Sequence, residues 1–293
     1  MPAVFEERRF AKALTLGADC VIIELEDAVA ASEKPAARKV VAGWAAMPRK
    51  CLLMVRINAL DTPFAHGDLA AVAVPGVDGV ILPKGESAAT IQIADWVLAQ
   101  WERERGLATG GIEVLPIIET ARGLDNVRQI LGASDRVHRA SFGAGDWSRD
   151  TGMPWLAGNP GMVAARFELA VASRALGKQP PIDTAFTGVS DGEGFTAEAT
   201  LARDLGYQGK FCIHPDQVAL ANRAFSPSPE EVARARAIWT AFTESEAKGV
   251  AAITVGGSFV DYPVAAQARA ILERAGESPA QAPRGAEEEV ASG

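Results

Sequence analysis

Apolar residues along this chain gather in short runs separated by longer amphipathic stretches, and most of the runs stop abruptly on a charged residue. Asp19–Leu25 (DCVIIEL), Cys51–Ile57 (CLLMVRI), Gly79–Leu82, the run from Val114 to Glu119, the run from Ala140 to Asp146, Ile182–Thr187 and Gly209–Ile213 (GKFCI) predict strands covered on both faces. Helical spacing follows in Arg9–Leu16, Lys34–Met47, Ser87–Arg105, Gly123–Leu131, Met162–Leu176 and Ala197–Leu205, with Gly17 and Gly206 as stops. Asp68–Val74 leads into the third strand.

Seven strands alternating with helices through short connections predict an all-parallel sheet with both faces covered. So many units in one run favour a closed (β/α) barrel over an open doubly wound sheet. The absence of GxGxxG and GxxxxGK[ST] after the first strand points the same way. Pro227 to about Arg274 reads as a helical extension interrupted at Gly256-Gly257, and the Ala-, Pro-, Gly- and Glu-rich residues 276–293 read as a disordered tail. The expected organisation is a barrel domain over residues 1–226, an extension or lid over 227–275, and the tail.

Composition narrows the function. The chain has 293 residues, 48% of them hydrophobic, enough for a sizeable core. A net charge of -8 without any concentrated basic segment argues against a nucleic-acid partner. No run approaches a membrane span or a signal peptide, so a cytoplasmic protein is expected. Cys20, Cys51 and Cys212 show no metal-type spacing and read as small buried hydrophobes.

A buried strand surfaces where its apolar run stops, so the residues there are candidates for chemistry. Collected along the chain they are Glu26, Asp27, Arg56, Asn58, Lys84, Glu119, Asp146 and His214. Glu119 and Asp146 are hard oxygen donors, and Mg²⁺ takes only one or two protein carboxylates beside water and substrate. Each residue also has a structural reading. Either acid can cap the following helix, Asp27 likewise, Lys84 can pair with Glu86, Arg56 can serve an acid, and His214 can bond to backbone. Their recurrence at nearly every strand end favours a site.

LEDAV (25–29), VRINALDTP (55–63), GVILPK (79–84), PIIETARGL (116–124), FGAGDW (142–147) and GKFCIHPDQV (209–218) resemble the HpcH/HpaI aldolase and citrate lyase β-subunit family, from about Phe10 to Val264. The resemblance implies a Mg²⁺-dependent (β/α)8 TIM barrel that cleaves or forms a carbon–carbon bond in a CoA thioester such as citryl-, malyl- or citramalyl-CoA. It further implies that Glu119 and Asp146 hold the metal and that Arg56 holds the substrate carboxylate. Glu26, Asp27, Lys84 and Asn58 are expected to complete the catalytic and substrate-binding set.

Three departures stand out. Only MPAVFEERR precedes the first helix, where relatives carry a strand, so the first barrel strand is expected to be missing or degraded. Glu24 replaces an aspartate and Gly145 replaces a glutamate.

The chemistry requires these residue types independently of the family. Retro-Claisen cleavage needs a divalent ion to polarise the carbonyl that forms, a guanidinium for the carboxylate, and an acid to protonate the enolate. Asp261, in GSFVDYPV (257–264), is where the resemblance implies that acid, reaching the site of a neighbouring chain in a homotrimer or hexamer; on the residues alone it can equally be a turn residue near Pro263. A thioesterase acting on malyl-CoA, a non-catalytic subunit, and an acyl group riding on a carrier protein remain open alternatives.

Overall fold

The computed structural model describes residues 6–156 and 158–278. The chain divides into two compact units, residues 1–225 and 226–293. Within the first lie α1 (Glu7–Ala13), β1 (Cys20–Glu24), α2 (Lys34–Ala45), β2 (Leu52–Arg56), α3 (Ala65–Val72), β3 (Gly79–Leu82), α4 (Ala88–Glu104) and β4 (Glu113–Ile118). They are followed by α5 (Ala121–Asp125), α6 (Val127–Leu131), β5 (Ser141–Phe142), α7 (Ala144–Thr151), α8 (Pro160–Ala175), β6 (Ile182–Asp183), α9 (Gly192–Asp204), β7 (Gly209–Lys210) and α10 (Pro215–Phe225). The strands form one seven-stranded sheet in the order β1-β2-β3-β4-β5-β6-β7, and every pairing is parallel. Each strand lies beside its successor and each connection carries a helix, which is the (β/α) barrel arrangement.

Alternation along the strands separates two cores. Leu53 and Val55 of β2 and Val80 and Leu82 of β3 join the large cluster beneath the helices, whereas Met54, Ile81, Leu115 and Ile117 form a smaller cluster with Cys20, Ile22 and Phe211. A period of two then decides where the strand-end charges point. Glu24 continues the face of Cys20 and Ile22, Arg56 that of Met54, and Glu119 that of Leu115 and Ile117. Three ionisable groups therefore stand on the inner face at the carboxyl ends of their strands.

Two buried ionic clusters anchor the outer layer. Arg166 on α8 and Lys210 on β7 share Asp183 on β6 and Glu198 on α9, at 2.7 Å and 3.4 Å from Arg166 and 2.7 Å and 2.6 Å from Lys210. Arg136 grips Glu102 of α4 through Nη1 and Nη2, at 2.7 Å and 2.6 Å, and Glu102 also accepts the backbone N–H groups of Gly110 and Ile112.

The structure corrects several sequence expectations. The fifth strand was expected to run to Asp146, but it ends at Phe142 and Asp146 lies in the first turn of α7. Buried Ala144 and Trp147 are three residues apart, a helical spacing hidden behind the apolar run. The helix expected over Gly123–Leu131 divides at Asn126, whose side chain donates to the carbonyl of Glu86. The cysteines are half-buried rather than buried. Burial nevertheless pushes the thiols of Cys20 and Cys212 up to about 12 and about 11.

The second unit contains α11 (Pro229–Glu246), strands β8 (Ile253–Val255) and β9 (Ser258–Val260), and α12 (Tyr262–Arg274). Gly256-Gly257, expected as a break between helices, is the turn of an antiparallel hairpin, with φ values of 55° and 79°. Both residues need the left-handed region, which suits a two-residue hairpin turn. Asp261 is the N-cap of α12, its Oδ1 accepting the Val264 N–H at 3.3 Å. The expected tail begins at Gly276, but Glu277 is still bonded to Arg236. The remainder of the tail, residues 279–293, lies outside the described residues, as do residues 1–5, where the missing strand was expected. Among the described residues no strand pairs with both β1 and β7, and no helix is long and apolar enough to cross a membrane.

Candidate active site

The carboxyl ends of β1, β2 and β3 bring two acids and two cations together. Glu24 and Arg56 are register partners on neighbouring strands, and Glu24 Oε2 accepts from Arg56 Nε at 2.7 Å. Glu26 follows two residues later, its N–H donating to Glu24 Oε1 at 2.6 Å. Its own carboxylate lies 3.1 Å from Arg56 Nη1 and 3.5 Å from Lys84 Nζ. The structural readings open to these residues therefore resolve. Lys84 pairs with Glu26, while Glu86 is taken by Arg122, and the N-cap of α2 is Glu33, not Asp27. Asp27 is exposed beside this group, and its charge acts on Glu26, Arg56 and Lys84.

Glu119 enters from β4. It is buried, and the helix that follows is capped by Thr120, which leaves the Glu119 carboxylate for other work. Lys84 has φ 51°, the sole positive value at a non-glycine residue among those described. A side chain in that region costs roughly 1–3 kcal/mol and persists where surrounding contacts enforce it. Here the bend lets the Lys84 N–H donate to Glu119 Oε1 at 2.7 Å and the Gly85 N–H donate to the Ile117 carbonyl at 3.1 Å. The other face of Glu119 meets bare backbone, because a Cβ on Gly143 would lie 2.5 Å from Glu119 Oε2. Gly143 is thus required by close approach, and the chain immediately after it begins α7, bringing Asp146 to the same region. The start of α7 is tied to the residue that follows β6, the Ala144 N–H donating to Thr184 Oγ1 at 3.0 Å.

The electrostatics reflect this crowding. Burial pushes the Glu119 carboxyl up to about 8, and although the Lys84 N–H opposes the shift, Asp146 and Glu26 add to it. Glu26 is also raised, by burial first and then by Asp27 and Glu24 against the pull of Arg56 and Lys84. Burial works to lower Lys84 and Arg56, but the surrounding acids outweigh it and hold both above their ordinary values. With Glu119 itself left out of the count, Glu24, Glu26, Asp27 and Asp146 still outnumber Arg56 and Lys84, and the further cation on Asp146 is the exposed Arg149. A negative excess around a pair of hard carboxylates fits a divalent cation. Among the described residues no three His, Cys, Asp or Glu side chains converge as a metal cage; two carboxylates with water and substrate are the usual complement for Mg²⁺.

Other expected site residues lie elsewhere or have other duties. Asn58 is buried, with Oδ1 accepting from Lys34 Nζ at 2.6 Å and Nδ2 donating to the Leu25 carbonyl and to Asp68. With its amide fully engaged, it braces the loops beneath the mouth rather than offering a group to substrate. His214 Nδ1 accepts the Asp216 N–H at 3.3 Å, a backbone role at the start of α10. Asp261 belongs to the second unit, as its helix cap. Glu24 and Gly143 were not identified as site residues from sequence. In the sequence Glu24 stands out only as a departure from the family's aspartate, although its two-residue offset from Ile22 marks the inner face.

Residues 5–215 match the family model of HpcH/HpaI aldolase/citrate lyase. The chain belongs to this family. A relative, the citrate lyase subunit beta of Leuconostoc mesenteroides subsp. cremoris, is 34% identical over 263 residues, covering 88% of this chain and 86% of that protein. The L-malyl-CoA/beta-methylmalyl-CoA lyase of Rhodobacter capsulatus is 33% identical over 307 residues, covering 94% and 91%. The crystal structure of the protein CitE from Mycobacterium tuberculosis, in complex with magnesium, acetoacetate and coenzyme A, superposes with a TM-score of 0.75 at 32% identity, covering 92% of this chain and 94% of that one. Within the HpcH/HpaI aldolase/citrate lyase family the seven-stranded sheet described above is thus the barrel fold, and the mouth of that sheet is the place to look for chemistry.

Proposed function

We propose that this protein is a Mg²⁺-dependent lyase that cleaves, or in reverse forms, the carbon–carbon bond of a β-hydroxyacyl-CoA thioester of the malyl, citramalyl or citryl class. The observation that carries the reading is the convergence of Glu119 and Asp146 with Arg56, Lys84 and Glu26 at one barrel mouth. Relatives named as citrate lyase β-subunits and a malyl-CoA lyase support the reaction class, and the magnesium and coenzyme A of the CitE structure support the cofactor and the carrier.

Glu119 and Asp146 would hold the ion, which when bound supplies Lewis-acid polarisation of the β-oxygen. Arg56 is the cation for the substrate carboxylate. Its Nε and Nη1 are engaged by Glu24 and Glu26, so the edge carrying Nη2 is the one it presents. Lys84, kept charged by its acidic neighbours, adds a second positive group near the developing negative charge. In the cleavage direction the β-hydroxyl gives its proton to a carboxylate of the mouth, Glu26 or Asp27, the α–β bond breaks as the carbonyl forms, and the thioester enolate takes a proton at its α-carbon. Asp261, contributed by a neighbouring copy in a trimer or hexamer, is the group we assign to that proton.

Incubation of the purified protein with Mg²⁺ and malyl-CoA tests the reading. Glyoxylate and acetyl-CoA are expected. Malate with free CoA would instead indicate a thioesterase using the same metal and arginine, and no turnover of malyl-, citramalyl- or citryl-CoA would indicate a non-catalytic subunit.

A further inference from the structure

We infer that Glu24 is the positioning residue for Arg56: it fixes the guanidinium plane so that the Nη2 edge faces the substrate carboxylate. The inference rests on the reading of Arg56 as the carboxylate cation and adds a residue to that site.

The geometry is that of a clamp held at both ends. Glu24 Oε1 accepts the Glu26 N–H at 2.6 Å, which locks the carboxylate to its own strand end. Glu24 Oε2 accepts from Arg56 Nε at 2.7 Å. The Glu24 side chain is only 10% exposed, so water does not compete effectively for either oxygen. Nε is the informative atom, because a hydrogen bond there restrains rotation about the bond joining the guanidinium to its aliphatic stem. With Nη1 also drawn to Glu26, the plane has two fixed points and Nη2 has no protein partner among the described residues. Strand pairing sets the reach, since Glu24 stands directly opposite Arg56 in the parallel register.

Without Glu24, Arg56 would have Glu26 as its remaining close acid and would turn toward it. The cation would survive, but its free edge would no longer be aimed. An oriented planar fork differs from a mere positive charge in this respect, since a carboxylate is recognised along a donor edge. Glu24 touches neither substrate nor metal in this scheme, and its effect passes entirely through Arg56.

The test uses the full-length protein with saturating Mg²⁺. Glu24→Gln, Glu24→Asp, Arg56→Ala and the Glu24→Gln/Arg56→Ala double variant are compared for oxaloacetate affinity, malyl-CoA kinetics, Mg²⁺ affinity and the ¹⁵Nε–H signal of Arg56. Glu24→Gln should weaken oxaloacetate and raise KM by roughly 10- to 100-fold, by analogy with the range for removing a partner that orients a metal ligand. Mg²⁺ affinity should be unchanged, and Glu24→Asp should recover part of the loss. In the Arg56→Ala background the same change should add nothing, because the two residues act as one unit. Unchanged oxaloacetate affinity in Glu24→Gln, or an equal penalty without Arg56, overturns the inference. If the wild-type protein neither binds oxaloacetate nor turns over malyl-CoA, the functional reading fails instead. The Nε–H signal then decides: exchange-protected in the wild type and lost in Glu24→Gln, it keeps Glu24 as the residue that fixes Arg56, and indifference to the change removes it.

Discussion

Glu26 is shared by two cations from different strands, with one oxygen 3.1 Å from Arg56 Nη1 and the other 3.5 Å from Lys84 Nζ. It spaces two positive charges that would otherwise repel, and it does so while buried. Burial is the chief reason its carboxyl sits above the ordinary range, so ionised Glu26 does not stabilise the fold. Replacement by Gln should leave the thermal midpoint unchanged or higher while turnover falls on the order of 100-fold, as expected for loss of a fixed charge at a reacting centre. A matched pair of melting curve and steady-state rate checks both; a folding defect proportional to the activity loss would reassign Glu26 to structure.

Glu119→Gln and Asp146→Asn should each weaken Mg²⁺ binding strongly with little cost in stability. Isothermal titration with MgCl₂ is the direct measurement, and EDTA should abolish wild-type turnover reversibly. Undiminished activity after chelation would contradict the metal assignment.

Gly143→Ala places a methyl group 2.5 Å from Glu119 Oε2 and 2.8 Å from Ile117 Cγ2. Such overpacking typically costs about 1–3 kcal/mol and is relieved here by moving both Glu119 and Ile117. Reduced stability in urea together with weakened Mg²⁺ affinity is the expected result. A variant that is less stable but binds Mg²⁺ normally would show that Glu119 is held by Lys84 alone.

Glu102 serves stability rather than chemistry. Burial would raise its carboxyl, but hydrogen bonds from Arg136 and from the N–H groups of Gly110 and Ile112 hold it below the ordinary value of 4.5. A depressed carboxylate stabilises the fold at pH above that value, and the contribution is lost as pH falls through the lowered one. Glu102→Gln should therefore cost about 3 kcal/mol at neutral pH, the scale for breaking a buried pair. The difference from wild type should shrink in acid. Urea unfolding at pH 7 and at pH 3 measures both.

Most of the barrel was legible because its signal is local. Gly79–Leu82 is bounded on both sides by turn residues and matches the observed strand at both ends, and the helix expected over Ser87–Arg105 is α4 with its two capping residues. Asp146 was found for a partly mistaken reason: its apolar run is a two-residue strand joined without a break to α7, and continuous hydrophobicity hides that boundary. Asn58 looked like a site residue because position alone does not reveal that its amide is consumed by Lys34, Leu25 and Asp68. Glu24 reads from the sequence only as a replacement for an aspartate, because its role lies in a partner 32 residues away. Arg166, Asp183, Glu198 and Lys210 went unnoticed for a related reason, since opposite charges drawn from four elements cancel only in three dimensions.

The hydrogen bond from the Ala144 N–H to Thr184 Oγ1 ties part of the site to a distant stretch of chain. Glu24, Glu26, Arg56 and Lys84 are secured in and just after β1 to β3, whereas the helix bearing Asp146 is held on one side by the end of β4, through the Gly143 N–H to the Ile118 carbonyl and the Ala121 N–H to Asp150 Oδ2, and on the other by the residue after β6, a strand only two residues long. Opening of the β6–β7 segment would release one of the holds on Asp146 and leave Glu119 and the Glu24–Arg56 clamp assembled. Hydrogen exchange should accordingly show the amides of α7 opening together with those of β6 and β7, at lower free energy than β1 and β2. Mild denaturant should erode Mg²⁺ affinity before it erodes the Glu24–Arg56 clamp. The enzyme would then lose its metal while most of its barrel is still folded.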